Sequence, residues 1–186
     1  VLVGRVGENP RLGYLEELGN ERLLADYESA TAVEDKVFLG YLYEQKKVYG
    51  LDYDDLITIA LHILQTDESK RVKWQERMMY VMVDEFQDVS GNQYELAEIL
   101  SGYHRNLFIV GDPDQTIYTW RGAKIEYILN FDAEHEDTKT VFLDVNYRST
   151  PEILAVSNSL IEKNKKRLPN RLVANGDSGA RPLYIH

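Results

Sequence analysis

One stretch constrains this chain more than any other: the apolar run Met78 to Val83, which passes without a break into VDEFQDVS. An apolar run of this length, with no polar alternation, predicts a strand of a parallel sheet covered on both faces. Open sheets of that kind bind ligands at the carboxyl ends of their strands. Asp84, Glu85 and Asp88 therefore fall at the ligand edge. One carboxylate there can hold a hydrated Mg²⁺, an ion usually bound through one or two carboxylates plus substrate phosphates. Its neighbour can orient or deprotonate a water. The same residues also fit an ordinary solvated strand end, and taken alone they do not choose between the two.

A second apolar run, Leu107 to Val110, predicts a second buried strand. It enters the turn Gly111-Asp112-Pro113-Asp114-Gln115, which brings the Gln115 amide to the same sheet edge. A glutamine in that place can sense a phosphate or position a water. Tyr118, Trp120 and Arg121 follow within one short segment. Aromatics beside an arginine supply what stacking on single-stranded bases needs. Taken by itself, Trp120 fits a core position somewhat better, with Arg121 in a structural ion pair, because tryptophan is mostly buried. Thr140 to Val145 predicts a third strand, ended by Asn146 to Pro151. Ser149 or Thr150 caps the helix that follows, Pro151 takes its first turn, and Glu152 complements its dipole. Tyr147 and Arg148 thus lie between a strand end and a helix start, where a tyrosine can stack on a base and an arginine can stabilise a transferring phosphoryl group.

The rest of the chain predicts helices. Tyr14 to Leu24 carries leucines among acids. Val33 to Tyr49 has apolar residues near helical spacing, with Gly50 as its stop. Asp52 to Leu64 begins with acids, capped by Asp52 or Asp54, and its Leu56, Ile59, Ala60 and Ile63 form one face. Thr66 to Arg71 reads as a charged linker. Gln93 to Leu100, Lys124 to Phe131 and Ile153 to Ile161 complete the set. Lys163 to Arg171, KNKKRLPNR, is the one basic cluster and reads as a solvated loop; Leu183 to His186 is expected to begin another strand. The fold class is therefore α/β, a parallel sheet flanked by helices with a helical segment at the N-terminus.

Composition excludes several classes. The 186 residues, 44% hydrophobic and 28% charged, describe a globular chain with a sizeable core. Without cysteine there is neither a disulfide framework nor thiol chemistry. No run reaches the roughly 18 apolar residues of a membrane span and no signal peptide is visible, so the expectation is a cytoplasmic protein with no membrane partner. The net charge of −10 speaks against a nucleic-acid partner if charge is taken over the whole surface, though not if contacts lie in one groove.

DEFQD at Asp84 to Asp88, GDPDQTIYTWRGA at Gly111 to Ala123 and NYRST at Asn146 to Thr150 resemble three motifs of superfamily 1 DNA helicases of the UvrD/PcrA/Rep type, in the family's order and near its spacing. LDYDDLI at Leu51 to Ile57 resembles a fourth, weaker one. The resemblance implies a partial RecA-like sheet of the P-loop NTPase type. It implies that residues 1–50 end a helical insertion, that 51–140 form the second half of a first RecA-like lobe and that 141–186 open a second. It implies ATP and Mg²⁺ as cofactors, with Asp84 holding the metal and Glu85 activating the attacking water. Gln115 would contact the γ-phosphate and couple it to DNA, Arg148 would act as the arginine finger, and Tyr147 would stack on adenine. Tyr118, Trp120 and Arg121 would touch DNA. The implied partners are single-stranded DNA, single/double-strand junctions and the remainder of a helicase chain.

One departure matters. No G-x-x-x-x-G-K-[ST] phosphate loop occurs in these residues. Together with a first residue other than Met, this predicts an internal piece of a helicase that is inactive alone, with sheet edges and an apolar face left uncovered. A second reading is a catalytically silent DNA-binding or interaction module that kept the fold. A metal-dependent nuclease using Asp84, Glu85 and Asp88 lacks the converging lysine such chemistry needs.

Overall fold

The computed structural model describes residues 21–183. They fall into two compact units: one runs up to Met79 and takes in Glu95–Arg105, and the other comprises Tyr80–Tyr94 and the chain from Asn106 onward. Most of the helix expected from Tyr14 and most of the strand expected from Leu183 lie outside the described residues.

The first unit is helical. It holds α1 (Glu21–Ser29), α2 (Val33–Lys47), α3 (Tyr53–Thr66) and α4 (Glu68–Arg77). α1 packs on α2, and a Cβ at Gly40 would come within 3.0 Å of the Tyr27 ring, so a larger residue there would have to displace the ring. The end of α2 differs from expectation in one residue. Gly50 N–H donates to Gln45 O at 3.0 Å and Tyr49 N–H to Lys46 O at 3.2 Å, the paired bonds of a Schellman cap. The left-handed position in that cap is taken by Tyr49, at φ 52°, rather than by the glycine beside it.

Asp52 caps α3 through a reciprocal box. Its side chain accepts from Asp55 N–H at 2.9 Å, and Asp55 Oδ2 accepts from Asp52 N–H at 3.0 Å. Asp55 is buried and also accepts from Gln45 Nε2, which ties the end of α2 to the start of α3. The buried face of α3 is Asp55, Thr58, Leu61 and Leu64, whereas Leu56 and Ile63 are exposed. The face expected from spacing is thus only partly covered among the described residues, and burial instead reaches onto the polar side of an amphipathic helix, where Asp55 is held by hydrogen bonds from Asp52 N–H and Gln45 Nε2. The charged linker expected over Thr66–Arg71 is also helical from Glu68. Asp67 caps α4 by accepting from Lys70 N–H at 3.1 Å, and good helix formers follow.

The second unit is built on β1 (Val81–Val83) and β2 (Leu107–Ile109), paired in parallel with Val81 opposite Leu107 and Val83 opposite Ile109. In sequence they are connected through α5 (Gly91–Ser101), whose residues from Glu95 onward belong to the first unit. The core is Phe86, Val89 and Phe131, against which Val83, Leu107, Ile109, Tyr94, Tyr127 and Ile128 pack. Phe86 is fully buried and meets Tyr94 and Phe131 edge-on, each at 5.7 Å between centroids. Met82 and Phe108, opposed in register, are exposed, so among the described residues the sheet is covered on one face and not on both. The helix expected over 124–131 is two short pieces, α6 (Glu126–Leu129) and α7 (Phe131–Glu134), separated at Asn130.

A second parallel pair joins β3 (Val145–Asn146) to β4 (Val173–Ala174), with α8 (Pro151–Ile161) between them in sequence. The strand expected over 140–145 forms only at its end. Val141 and Leu143 are exposed, and this segment has no strand beside it among the described residues. The architecture is mixed, helices with small parallel sheets. No helix among the described residues is long and apolar enough to cross a membrane.

Candidate functional site

The end of β1 shows how the chain presents its acids. Val110 N–H donates to Val83 O and Phe86 N–H donates to Val110 O, both at 2.9 Å. These ladder bonds hold Val83 and Phe86 against one partner residue, so Asp84 and Glu85 loop out between them beyond the strand. Both are exposed. Glu85 adopts the left-handed conformation, φ 51° and ψ 41°, which costs a non-glycine residue on the order of 1–2 kcal/mol. Strain of this kind persists only where the surroundings fix it, here by the burial of Phe86. Asp84 Oδ1 accepts from Glu85 N–H at 2.9 Å. Asp88 is half-buried, and its Oδ1 is shielded from solvent with no hydrogen-bond partner among the described residues.

The residue that joins this loop to its neighbour is Gln87, 1% exposed. Its Nε2 donates to Glu85 Oε2 at 2.7 Å, and its Oε1 accepts from Asp112 N–H at 3.0 Å. The orientation of the amide is fixed, since a carboxylate only accepts and a backbone N–H only donates. Gly111 makes room for it: a Cβ there would lie 2.6 Å from Gln87 Oε1 and 3.0 Å from Phe86 N. Asp112 then organises its own turn. Its Oδ1 accepts from Asp114 N–H at 3.0 Å and its Oδ2 from Gln115 Nε2 at 2.7 Å. Sequence reasoning passed over Gln87 and Asp112. The available signal was a polar residue between two core positions, Phe86 and Val89, where an amide must find partners.

Gln115 and Asp112 line an open cleft of about 500 Å³ together with Leu143, Val145, Asn146, Tyr147, Arg148 and Leu172. The cleft brings Gln115 together with Tyr147 and Arg148, whereas Asp84 and Glu85 do not line it. Asn146 sets the latter two: its Oδ1 accepts from Arg148 N–H at 2.9 Å and Ser149 N–H at 2.7 Å. This is an Asx turn, another device that asparagine at a strand end could have signalled. Thr150 holds the cap position of α8 without a side-chain bond, and Pro151 begins the helix.

Tyr118, Trp120 and Arg121 lie on the segment that leaves the Gln115 turn, and all three are exposed. Trp120 is 69% exposed, which sets aside a core role. The Arg121 guanidinium sits 5.7 Å from the Tyr118 ring centroid and 5.3 Å from that of Trp120. Among the described residues it makes no ion pair. The basic cluster is less free than expected: Arg167 pairs with Asp114 at 3.0 Å with both side chains mostly shielded, and Lys166 pairs with Glu126 at 3.1 Å.

The profile of the UvrD/REP helicase N-terminal domain family matches residues 14–136. The chain belongs to this family. Over 149 residues it is 37% identical to the ATP-dependent DNA helicase PcrA of Leuconostoc citreum, a match covering 80% of this chain and 20% of that protein. It is 38% identical over 148 residues to the PcrA of Staphylococcus epidermidis and 37% identical over 148 residues to that of Staphylococcus aureus, with the same coverage. The chain thus spans 20% of the length of these relatives. Within this UvrD/REP family segment the strand-end donors suit a hard divalent ion. Asp84 Oδ2 has no protein partner among the described residues, and no three ligating side chains converge there. One carboxylate with the balance supplied by water and phosphate is the usual setting for Mg²⁺.

Proposed function

We propose that this chain is part of an ATP-dependent DNA helicase that couples MgATP hydrolysis to movement on single-stranded DNA and to unwinding at single/double-strand junctions. The supporting observation is the convergence of Gln115, Tyr147 and Arg148 on one cleft, with Gln115 linked through Asp112 and Gln87 to Glu85. In this reading the segment carries the second half of one RecA-like lobe and the opening of another, after the end of a helical insertion.

Asp84 holds Mg²⁺, which when bound neutralises phosphate charge. Glu85 takes a proton from the attacking water. Gln115 contacts the γ-phosphate, Arg148 stabilises charge on the transferring group, and Tyr147 stacks on the adenine. Tyr118 and Trp120 offer ring faces to successive bases, with Arg121 beside them for the backbone. Stacking accepts any base, as a motor on DNA requires. The location that goes with such a substrate is the cytoplasm.

The test is ATP hydrolysis by the intact protein with and without single-stranded DNA. DNA should raise the rate, and Arg148→Ala should lower it by about 10³-fold or more. Hydrolysis indifferent to DNA and to Arg148 would overturn the proposal. The 186-residue chain alone, with no phosphate loop in its sequence, should not turn ATP over.

A further inference from the structure

We infer that Gln87 is the positioning residue that sets the Glu85 carboxylate in register with the Gly111–Gln115 turn, an inference that rests on Glu85 being the base proposed above. Gln87 touches neither nucleotide nor DNA in that scheme. It acts through the groups at its two ends, Glu85 Oε2 at 2.7 Å and the Asp112 N–H at 3.0 Å.

Three features carry this assignment. Glu85 is exposed on a left-handed backbone, and nothing else among the described residues donates to its carboxylate; the Gln87 amide therefore selects its rotamer. Gln87 itself is 1% exposed and lies between Phe86 and the turn, so it cannot follow Glu85 into solvent. Both ends of its amide are used, and the Gln115–Asp112–Gln87–Glu85 bonds form one unbroken series. A displacement of the turn that carries Gln115 is thereby a displacement of the bond that aims Glu85. General-base catalysis depends on hydrogen-bond reach to the water, so aim matters as much as basicity.

The experiment uses the intact protein and two replacements. Gln87→Met keeps the length of the side chain and removes both bonds. Gln87→Asn keeps a neutral amide but is one methylene too short to reach Glu85 Oε2 and Asp112 N–H together, which preserves the test should Gln87→Met not fold. Each should lower kcat for single-strand-stimulated ATP hydrolysis about 10–100-fold, the usual cost of losing an outer-layer partner. KM for ATP should stay within about twofold, as expected when a loss is confined to the transition state. The thermal midpoint of Gln87→Asn should fall by no more than a few degrees, the loss expected for one buried methylene. Normal kcat in both variants would overturn the inference. So would a larger fall in midpoint with KM and kcat failing together, which marks a purely structural amide. Glu85→Gln, assayed beside them, separates the two levels: normal turnover there removes the base assignment itself, whereas loss there with normal Gln87 variants removes only the positioning role.

Discussion

The Arg121 guanidinium lies 5.3 Å from the centroid of the Trp120 ring, and that ring is 69% exposed. A tryptophan this open contributes little to the core, where truncation would cost roughly 3–5 kcal/mol. Trp120→Ala should leave the thermal midpoint nearly unchanged. Single-strand binding by the intact protein should weaken by about 1–3 kcal/mol per stacked base, to a similar degree for all sequences. Thermal melts and oligonucleotide titrations at one fixed salt concentration check both halves. A collapsed midpoint with unchanged affinity would return Trp120 to a structural role.

Tyr49 offers a test of the helical unit. It is 93% exposed and holds the left-handed position of the α2 cap. Tyr49→Gly relieves strain of about 1–2 kcal/mol and loses somewhat less in chain entropy. A small rise in the denaturant midpoint is expected. Asp52→Ala removes the side chain that caps α3 and should lower stability by about 1 kcal/mol. A drop for Tyr49→Gly would mean that the ring makes contacts worth more than the strain.

Acid should release the segment at Ser178 and Gly179. Glu152 accepts from Ser178 Oγ and from Gly179 N–H, and these bonds lower its pKa from the usual 4.5 to about 2. A carboxylate whose folded pKa is depressed gives stability that is present above the unfolded value and lost as pH falls through the folded one. The contribution should therefore be whole above about pH 4.5 and gone below about pH 2. Hydrogen exchange at the Gly179 amide should accelerate across that window relative to the intrinsic rate. Glu152→Gln should show no such acceleration.

The sequence carried the candidate site's edge more clearly than the fold around it. Strand-end acids followed by a Gly-Pro turn are a local pattern, and β1, β2 and the turn at Gly111–Gln115 lie where that pattern put them. The buried face of α3 was not legible, since it takes in Asp55 and Thr58 from the polar side of the helix, and the bond that draws Asp55 in comes from Gln45 on the preceding helix. Neither was the single-sided covering of β1 and β2, because a run such as Val81–Val83 looks the same whether one face or two are packed. Gln87 was hidden for a different reason. Its role depends on Asp112, far along the chain, and only the parallel pairing of β1 with β2 brings that amide within reach.

The most direct measurement is steady-state ATP turnover of the intact protein carrying Glu85→Gln, with saturating single-stranded DNA, alongside its affinity for nucleotide. The replacement keeps the shape of the side chain and removes the base. With Glu85 as the base, turnover should fall about 10²–10⁴-fold with nucleotide affinity largely retained. Turnover close to that of the unsubstituted protein would contradict that assignment.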